Sequence, residues 1–279
     1  MTSETLTDHD YDFLCRTIYA HSRIHLGPDK RALVSGRVAK RLRALGMATY
    51  SEYCRWLNTK DGAEELTQLI DVISTNYTRF FREEKHFTWL RSVLLPQWRL
   101  CQPADRVFRA WSAAASSGEE PYTLAIVLSE FFGVDGRWSI AATDISTRML
   151  RQTDEAVYNR EKVASISPAL LRCYFQRGVG RWEGHYRVRE SVRRHVHVQQ
   201  VNLLQVTYPF AQLFDLILCR NVMIYFDRPT QGILIEKLTA QLEPGGHLLV
   251  GHSESLSGIR HSLQQLQPAT YLKPHRSSF

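Results

Sequence analysis

The sequence predicts an α/β protein: a mostly parallel sheet flanked by helices, interrupted by a small antiparallel insert and preceded by an all-α region. Three observations predict it. Through roughly the first hundred residues, apolar side chains recur at three- and four-residue spacing. From about residue 106, apolar strand-like runs alternate with helical stretches, the pattern of right-handed βαβ crossovers. Residues 174–201 break that alternation with glycines and a two-residue period.

The helical region comes first. "YDFLCRTIYAHSRIHL", "YSEYCRWLN" and "EELTQLIDVIS" carry amphipathic spacing. "LGPDKRALVSGRVAKRLRALG" puts Val34, Val38, Leu42 and Leu45 on one stripe and Arg37, Lys40, Arg41 and Arg43 on the other side, with Gly46 as a stop. A helix over "EEKHFTWLRSVLL" is expected to run up to Pro96, and "QPADR" reads as a loop.

The alternating region follows. "RVFRAWSAAA", "WSIAATDIS", "FDLILCR", "HLLVGHSES" and "ATYLKP" read as strands. "EPYTLAIVLSEFF", "TRMLRQTDEAVY" and "TQGILIEKLTAQLEPGG" read as helices, the last closed by its glycines. "FDLILCR" is continuously apolar, as a strand buried on both faces should be. The insert has glycines at 178, 180 and 184, then alternation through Tyr186, Val188, Val196 and Val198, which predicts a hairpin or three-stranded sheet.

Composition narrows the class. The 279 residues can bury a full core plus a companion domain, and 44% hydrophobic with 23% charged residues is ordinary for a globular protein. No apolar run reaches the ~18 residues of a membrane span. The opening "MTSETLTDHDYDFL" lacks a signal-peptide layout, so a cytoplasmic location is expected. Five scattered cysteines without a C-x-x-C pair predict reduced thiols rather than disulfides or a zinc site. A net charge of +7 favours an anionic partner, either nucleic acid or an acidic protein surface.

In a mostly parallel sheet, ligands sit beyond the carboxyl ends of the strands, so those positions carry the chemistry. At the first, "AWSAAASSGEEPYT", small residues and Gly118 allow close approach to the backbone. Glu119 and Glu120 stand where a phosphate would otherwise be welcomed. They suit a cationic or hydroxyl-rich ligand, or equally a helix first turn with Pro121 near N1. At the second, Asp144 of "AATDIS" is placed to bind a ribose diol or to cap the next helix. At the third, Asn202 and Leu203 of "VNLL" offer an amide matching an adenine edge. At the fourth, Arg220 and Asn221 of "CRNVMIYFD" follow a buried strand, with Tyr225 close behind. Outside the sheet, Asn76, Thr78 and Arg82 of "NYTRFFREE" share a face, with Phe80 and Phe81 as anchors. A diol-binding acid and a cation-tolerant pocket, without G-x-G-x-x-G, point away from NAD. S-adenosylmethionine fits better, having no phosphate and a positive sulfonium and ammonium.

"TNYTRFFRE", "WSAAASSGEEPYT", "ATDIS", "VNLL", "CRNVMIYFD" and "GHSESL" occur in the order and spacing of the CheR family, the chemotaxis-receptor glutamate O-methyltransferases, which the chain resembles over essentially its whole length. The departures are small: "SSGEE" for the common "STGEE", and "ISTN" where a second Thr is frequent. The resemblance implies a Rossmann-like S-adenosylmethionine methyltransferase domain with a small antiparallel β-subdomain insert, preceded by an all-α N-terminal domain. It places a receptor-contacting helical domain at 1–88, a connecting helix at 89–105 and the methyltransferase domain at 106–279, with the insert near 174–199. It implies cofactor contacts at Asn76, Thr78, Arg82, Glu119 or Glu120, Asp144, Asn202, Leu203, Arg220 and Asn221. Arg82 and Tyr225 would orient the substrate. The implied reaction is methyl transfer to receptor glutamates, giving methyl esters and S-adenosylhomocysteine. Acidic receptor helices would face Arg37, Lys40, Arg41 and Arg43. The insert, with its arginines, would dock a receptor C-terminal peptide by strand addition. A monomer without nucleic acid, membrane insertion or metal is expected, and the histidines receive no role. The rival classes are a nucleic-acid methyltransferase, which usually carries an aromatic-and-proline base-flipping element where "RNVMIYF" stands, and a silent cofactor-binding module, which would be expected to lose Arg82 or Tyr225.

Overall fold

A computed structural model describes residues 5–74 and 76–275. The chain forms two compact units: residues 1–75 with 224–231, and residues 76–223 with 232–279.

The first unit is helical, with α1 (Asp8–Ser22), α2 (Arg31–Leu45), α3 (Tyr50–Leu57) and α4 (Ala63–Ile73). Thr7 and Thr49 cap α1 and α3 by accepting the Asp10 and Glu52 N–H groups, while Gly46 ends α2 in a left-handed conformation at φ 68°. Leu14, Ile18, Val34, Val38, Leu42 and Leu69 are fully buried together. Three members of the predicted α2 stripe therefore form core. The fourth, Leu45, lies exposed in the last turn.

The second unit opens with α5 (Lys85–Trp89), a five-residue π-helical segment (Leu90–Leu94) and α6 (Leu95–Cys101). The helix predicted to stop at Pro96 thus continues past it. The Leu95 N–H donates to the Leu90 carbonyl, and this wider turn lets Pro96 occupy the first turn of a new stretch, where its missing N–H costs least. The elements that follow are β1 (Phe108–Ala113), α7 (Glu119–Phe132), β2 (Trp138–Asp144), α8 (Thr147–Glu155), β3 (Val157–Asn159), α9 (Pro168–Tyr174), β4 (Phe175–Arg177), β5 (His185–Val188), α10 (Glu190–Arg193), β6 (Val196–Gln200), β7 (Phe214–Cys219), α11 (Arg228–Ala240), β8 (Leu242–Val250), β9 (Gln264–Gln267) and β10 (Thr270–Leu272).

The main sheet has the order β6-β2-β1-β7-β8-β10-β9. Its first five strands are parallel, and β10 and β9 close the edge antiparallel. Strand order reverses between β1 and β7, so a crevice is expected beyond the carboxyl ends of these two strands. The small sheet has order β3-β5-β4 and is antiparallel throughout.

Three sequence readings change here. Val196 and Val198 belong to the main sheet, where β6 pairs in parallel with β2, and not to the insert sheet. An edge strand covered on one face alternates just as a hairpin strand does, so periodicity could not assign it. Conversely, the insert sheet recruits Val157–Asn159, read as the end of a helix; Ala156 at φ 53° breaks α8 just before it. The helix over residues 230–246 ends at Ala240, and its glycines lie inside β8 instead. There Leu242 pairs with Phe214 and His247 with Leu216, so the residues between bulge out of the ladder.

Candidate active site

The turn after β1 is built for close backbone approach. Ala114 and Ser116 adopt left-handed backbone at φ 74° and 50°, and Gly118 follows at φ 96°. The Ala114 and Ala115 N–H groups both donate to the Thr143 carbonyl, at 2.9 and 2.8 Å. A Cβ on Gly118 would stand 2.5 Å from the Tyr158 hydroxyl oxygen, so glycine is required by space as well as by φ.

The two acids that open α7 part company. Glu119 is fully buried. It accepts from Lys162 Nζ at 2.6 Å and from Ser117 Oγ at 2.7 Å, so both oxygens are committed to the protein. Glu120 points to the strand ends. It accepts from Ser112 Oγ of β1 at 2.7 Å and from Arg220 Nη1, after β7, at 3.1 Å. Burial raises the Glu120 carboxyl above its ordinary range, with Arg220 and Ser112 pulling the other way.

Asp144 ends β2. Its Oδ2 accepts the Ser116 N–H at 2.8 Å and its Oδ1 the Ser146 N–H at 2.9 Å. The cap of α8 is Ser146, not Asp144. Asp144 therefore ties the β1 turn to the β2 turn, in the place expected of a diol acceptor. Its carbonyl also accepts the Val201 N–H, which brings Asn202 and Leu203 beside it. Asn202 Oδ1 accepts the Leu204 N–H at 3.0 Å, and Leu203 is buried.

Arg220 is the hub at the switch point. Besides Glu120, it donates to Glu83 Oε2 at 3.1 Å and to the Arg82 carbonyl, and its guanidinium lies 5.3 Å from the centre of the Phe87 ring. Asn221, at φ 58°, donates from Nδ2 to Glu83 Oε1 at 3.1 Å. Burial works to raise Glu83, but the Arg220 charge and the Asn221 and Arg220 hydrogen bonds leave its carboxyl below the usual range. Glu254 holds the loop from behind, accepting N–H groups from Asn221, Met223 and Gly251 at 2.8, 2.8 and 2.6 Å. The sequence reading gave no role to Glu83, Ser112, Lys162 or Glu254. Glu83, Ser112 and Glu254 carried a signal, as members of "TNYTRFFRE", "WSAAASSGEEPYT" and "GHSESL"; Lys162 carried none.

The stretch from Asn76 to Arg82 is fastened to the same site. Ser116 Oγ donates to the Asn76 carbonyl at 3.0 Å, and the Phe81 N–H donates to Thr123 Oγ1 of α7 at 3.1 Å. Phe80, 1% exposed, meets Tyr158 and Phe175 edge-on. Asn76 Nδ2 is buried without a protein partner, an orphaned donor that a ligand can satisfy. Thr78 is half-buried between Tyr77 and Arg79. Arg82 donates from Nη1 to the Tyr77 carbonyl at 2.7 Å, with the exposed Tyr77 ring beneath it.

The remaining predicted residues belong to the helical unit. Tyr225 packs against its core and accepts the His25 N–H on its carbonyl at 2.8 Å. The four α2 cations divide. Arg37 donates to the Ile73 and Ser74 carbonyls, and Arg41 forms a bidentate pair with buried Glu65. Lys40 and Arg43 are exposed.

The residues present fit S-adenosylmethionine: acids for its cationic end and diol, an orphaned amide donor, a short turn of small residues and no phosphate cradle. Comparison with known proteins agrees. Residues 9–74 match the family described as "CheR methyltransferase, all-alpha domain", and residues 76–272 match "CheR methyltransferase, SAM binding domain". The "Chemotaxis protein methyltransferase" of Salmonella typhimurium is 38% identical, over 91% of this chain and 86% of its own. The protein of the same name from Borreliella burgdorferi is 36% identical, over 96% of this chain and 95% of its own. The Escherichia coli protein of that name is 37% identical over 91% and 87%. With both halves matched in order and relatives aligned nearly end to end, the chain belongs to the CheR family of S-adenosylmethionine-dependent methyltransferases.

Proposed function

We propose that this protein methylates the γ-carboxylates of glutamates on the cytoplasmic helices of chemoreceptors, acting as a cytoplasmic monomer. The observation that carries the reading is the convergence of Asn76, Glu120, Asp144, Asn202 and Arg220 at the β1–β7 switch point, on a chain whose relatives are chemotaxis methyltransferases. Among the described residues no helix is long and apolar enough to cross a membrane.

S-adenosylmethionine, when bound, supplies a methyl group activated by its sulfonium. The chain's residues do the rest by position. Glu120 is the acid for the cationic end, because it reaches the ends of β1 and β7 through Ser112 and Arg220, whereas Glu119 turns to Lys162 and Ser117. Asp144 accepts from the ribose, Asn202 and Leu203 border the adenine, and Asn76 and Thr78 complete the pocket. Arg220 and Asn221 fix Glu120 and Glu83 in place. The nucleophile needs no base, since a glutamate carboxylate is ionised at neutral pH (reference pKa about 4.3). Arg82 holds one of its oxygens and leaves the other to attack; alignment then supplies the rate. Arg82 is already pre-set by the Tyr77 carbonyl.

For the receptor, exposed Lys40 and Arg43 complement acidic helices. A receptor C-terminal peptide fits the edge strand β4, beside a surface groove lined by Arg172, Phe175, Arg177 and Arg189. The test is incubation with methyl-labelled cofactor and receptor-bearing membranes. Alkali-labile label on the receptor is expected, at least a hundredfold weaker for Arg82→Ala at saturating cofactor. Alkali-stable label, or label on nucleic acid, would overturn the assignment.

A further inference from the structure

One cluster in the second unit borders the site above through Glu83 and adds two histidines that have no part in its chemistry. Glu83 lies in the turn before α5, His86 in the first turn of α5 and His252 just after β8. One ligand atom of each lies within 4.8 Å of the others, and no other such trio of His, Cys, Asp or Glu occurs among the described residues. His86 Nδ1 stands 3.7 Å from Glu83 Oε2, and the His86 and His252 rings meet edge to face at 4.6 Å.

His86 is the informative member. It is 1% exposed, yet neither ring nitrogen has a hydrogen-bond partner. Burying two polar nitrogens without partners is costly, and a core position that merely needed an aromatic ring could hold Phe at no such cost. The Glu83–His86 spacing puts both side chains on one side of the turn. His252 is exposed, so an ion has a route in from solvent.

We propose that Glu83, His86 and His252 bind a divalent transition-metal ion of the zinc class. Two imidazoles and one carboxylate suit Zn²⁺ or Co²⁺ and are poor ligands for Mg²⁺ or Ca²⁺. Ligand atoms about 2.1 Å from a tetrahedral ion sit roughly 3.4 Å apart, so the 3.7 Å between His86 and Glu83 needs only a small adjustment. The fourth position stays open to water. The ion would share Glu83 Oε2 with Arg220, which donates to that same oxygen at 3.1 Å. Metal and the Arg220–Glu83 pair therefore compete, and an occupied site weakens cofactor binding. This second effect rests on the cofactor site proposed above; the metal site does not.

The site is tested by titrating reduced, chelator-stripped protein with Co²⁺ and counting Zn²⁺ by equilibrium dialysis, in wild type and His252→Ala. Because His252 is exposed, the variant should fold with an unchanged metal-free melting temperature. Wild type is expected to bind one equivalent, with visible Co²⁺ bands lacking thiolate charge transfer, and the variant to bind at least tenfold more weakly. Equal binding by the two proteins, or a thiolate-dominated spectrum, overturns the site. S-adenosylhomocysteine affinity should fall on the order of fivefold with Zn²⁺ in wild type and stay unchanged in the variant. Metal bound without that loss overturns the competition. Failure to bind S-adenosylhomocysteine in any condition would instead count against the cofactor site.

Discussion

The Arg220 guanidinium donates to the Glu120 carboxylate at 3.1 Å from a position only 1% exposed at its side chain, and its other arm reaches Glu83 at the same distance. One cation thus neutralises two largely buried acids from different elements. Arg220→Ala leaves both uncompensated, which should cost about 3–5 kcal/mol in urea unfolding. Arg220→Lys keeps the charge but cannot fork between two carboxylates, so it should recover only part of that loss and still bind cofactor weakly.

Glu119 and Glu120 are adjacent in sequence but take different partners, Lys162 and Ser117 against Ser112 and Arg220. Glu120→Gln should weaken cofactor binding about tenfold, since it removes the charge proposed to face the cationic ligand. Glu119→Gln should leave that affinity within about twofold, because it unpairs only Lys162, which is partly exposed, and keeps a hydrogen-bond acceptor for Ser117. Calorimetric titration of both variants separates them. The reverse ranking would move the cofactor contact to Glu119.

The sequence made the strand ends legible because buried strands, small-residue turns and terminal acids leave local marks. Asp144 and Arg220 could be placed at strand ends from one chain alone. What stayed hidden was pairing between distant segments. Nothing local to Glu83 announces Arg220, 137 residues away, or the Asn221 amide beside it. Periodicity showed that Val196–Gln200 is a strand, but an edge strand of one sheet and a hairpin strand of another have the same pattern. The reading of Glu119 against Glu120 was open for the same reason, since their partners Lys162 and Arg220 lie far along the chain.

The α2 cations give a prediction about binding against folding. Arg41 holds both oxygens of Glu65, which is 4% exposed and also accepts from the Tyr53 hydroxyl at 2.8 Å. Arg41→Ala should destabilise the helical unit by about 3 kcal/mol through the stranded carboxylate. Lys40→Glu and Arg43→Glu, on exposed side chains, should change stability by less than about 0.5 kcal/mol. Combined, these two should cut receptor methylation several-fold at low salt and less at high salt. Methylation assays across ionic strength, beside melting curves, read both effects. Unchanged methylation in the double variant would remove this face from the receptor interface.

His247 supplies the acid limb of stability. It sits in β8 between Leu216 and Leu272, with the Trp89 ring 5.5 Å from its own, and burial pushes its pKa down to about 4. In the unfolded chain the same ring titrates near 6.5. Between these values the unfolded state binds a proton that the folded state refuses, so stability rises with pH across the window. The contribution is complete above pH 6.5 and is lost progressively as the pH falls toward 4. At pH 4.5 the loss should reach about 2 kcal/mol, allowing for the partial cover of the ring. His247→Gln keeps a polar group of similar size that does not titrate. It should therefore be less stable than wild type at pH 7 if packing suffers, yet lose about 2 kcal/mol less on going from pH 7 to 4.5. Urea unfolding of both proteins at the two pH values measures that difference directly. Equal losses would mean that His247 takes up its proton in the folded state as readily as in the unfolded chain.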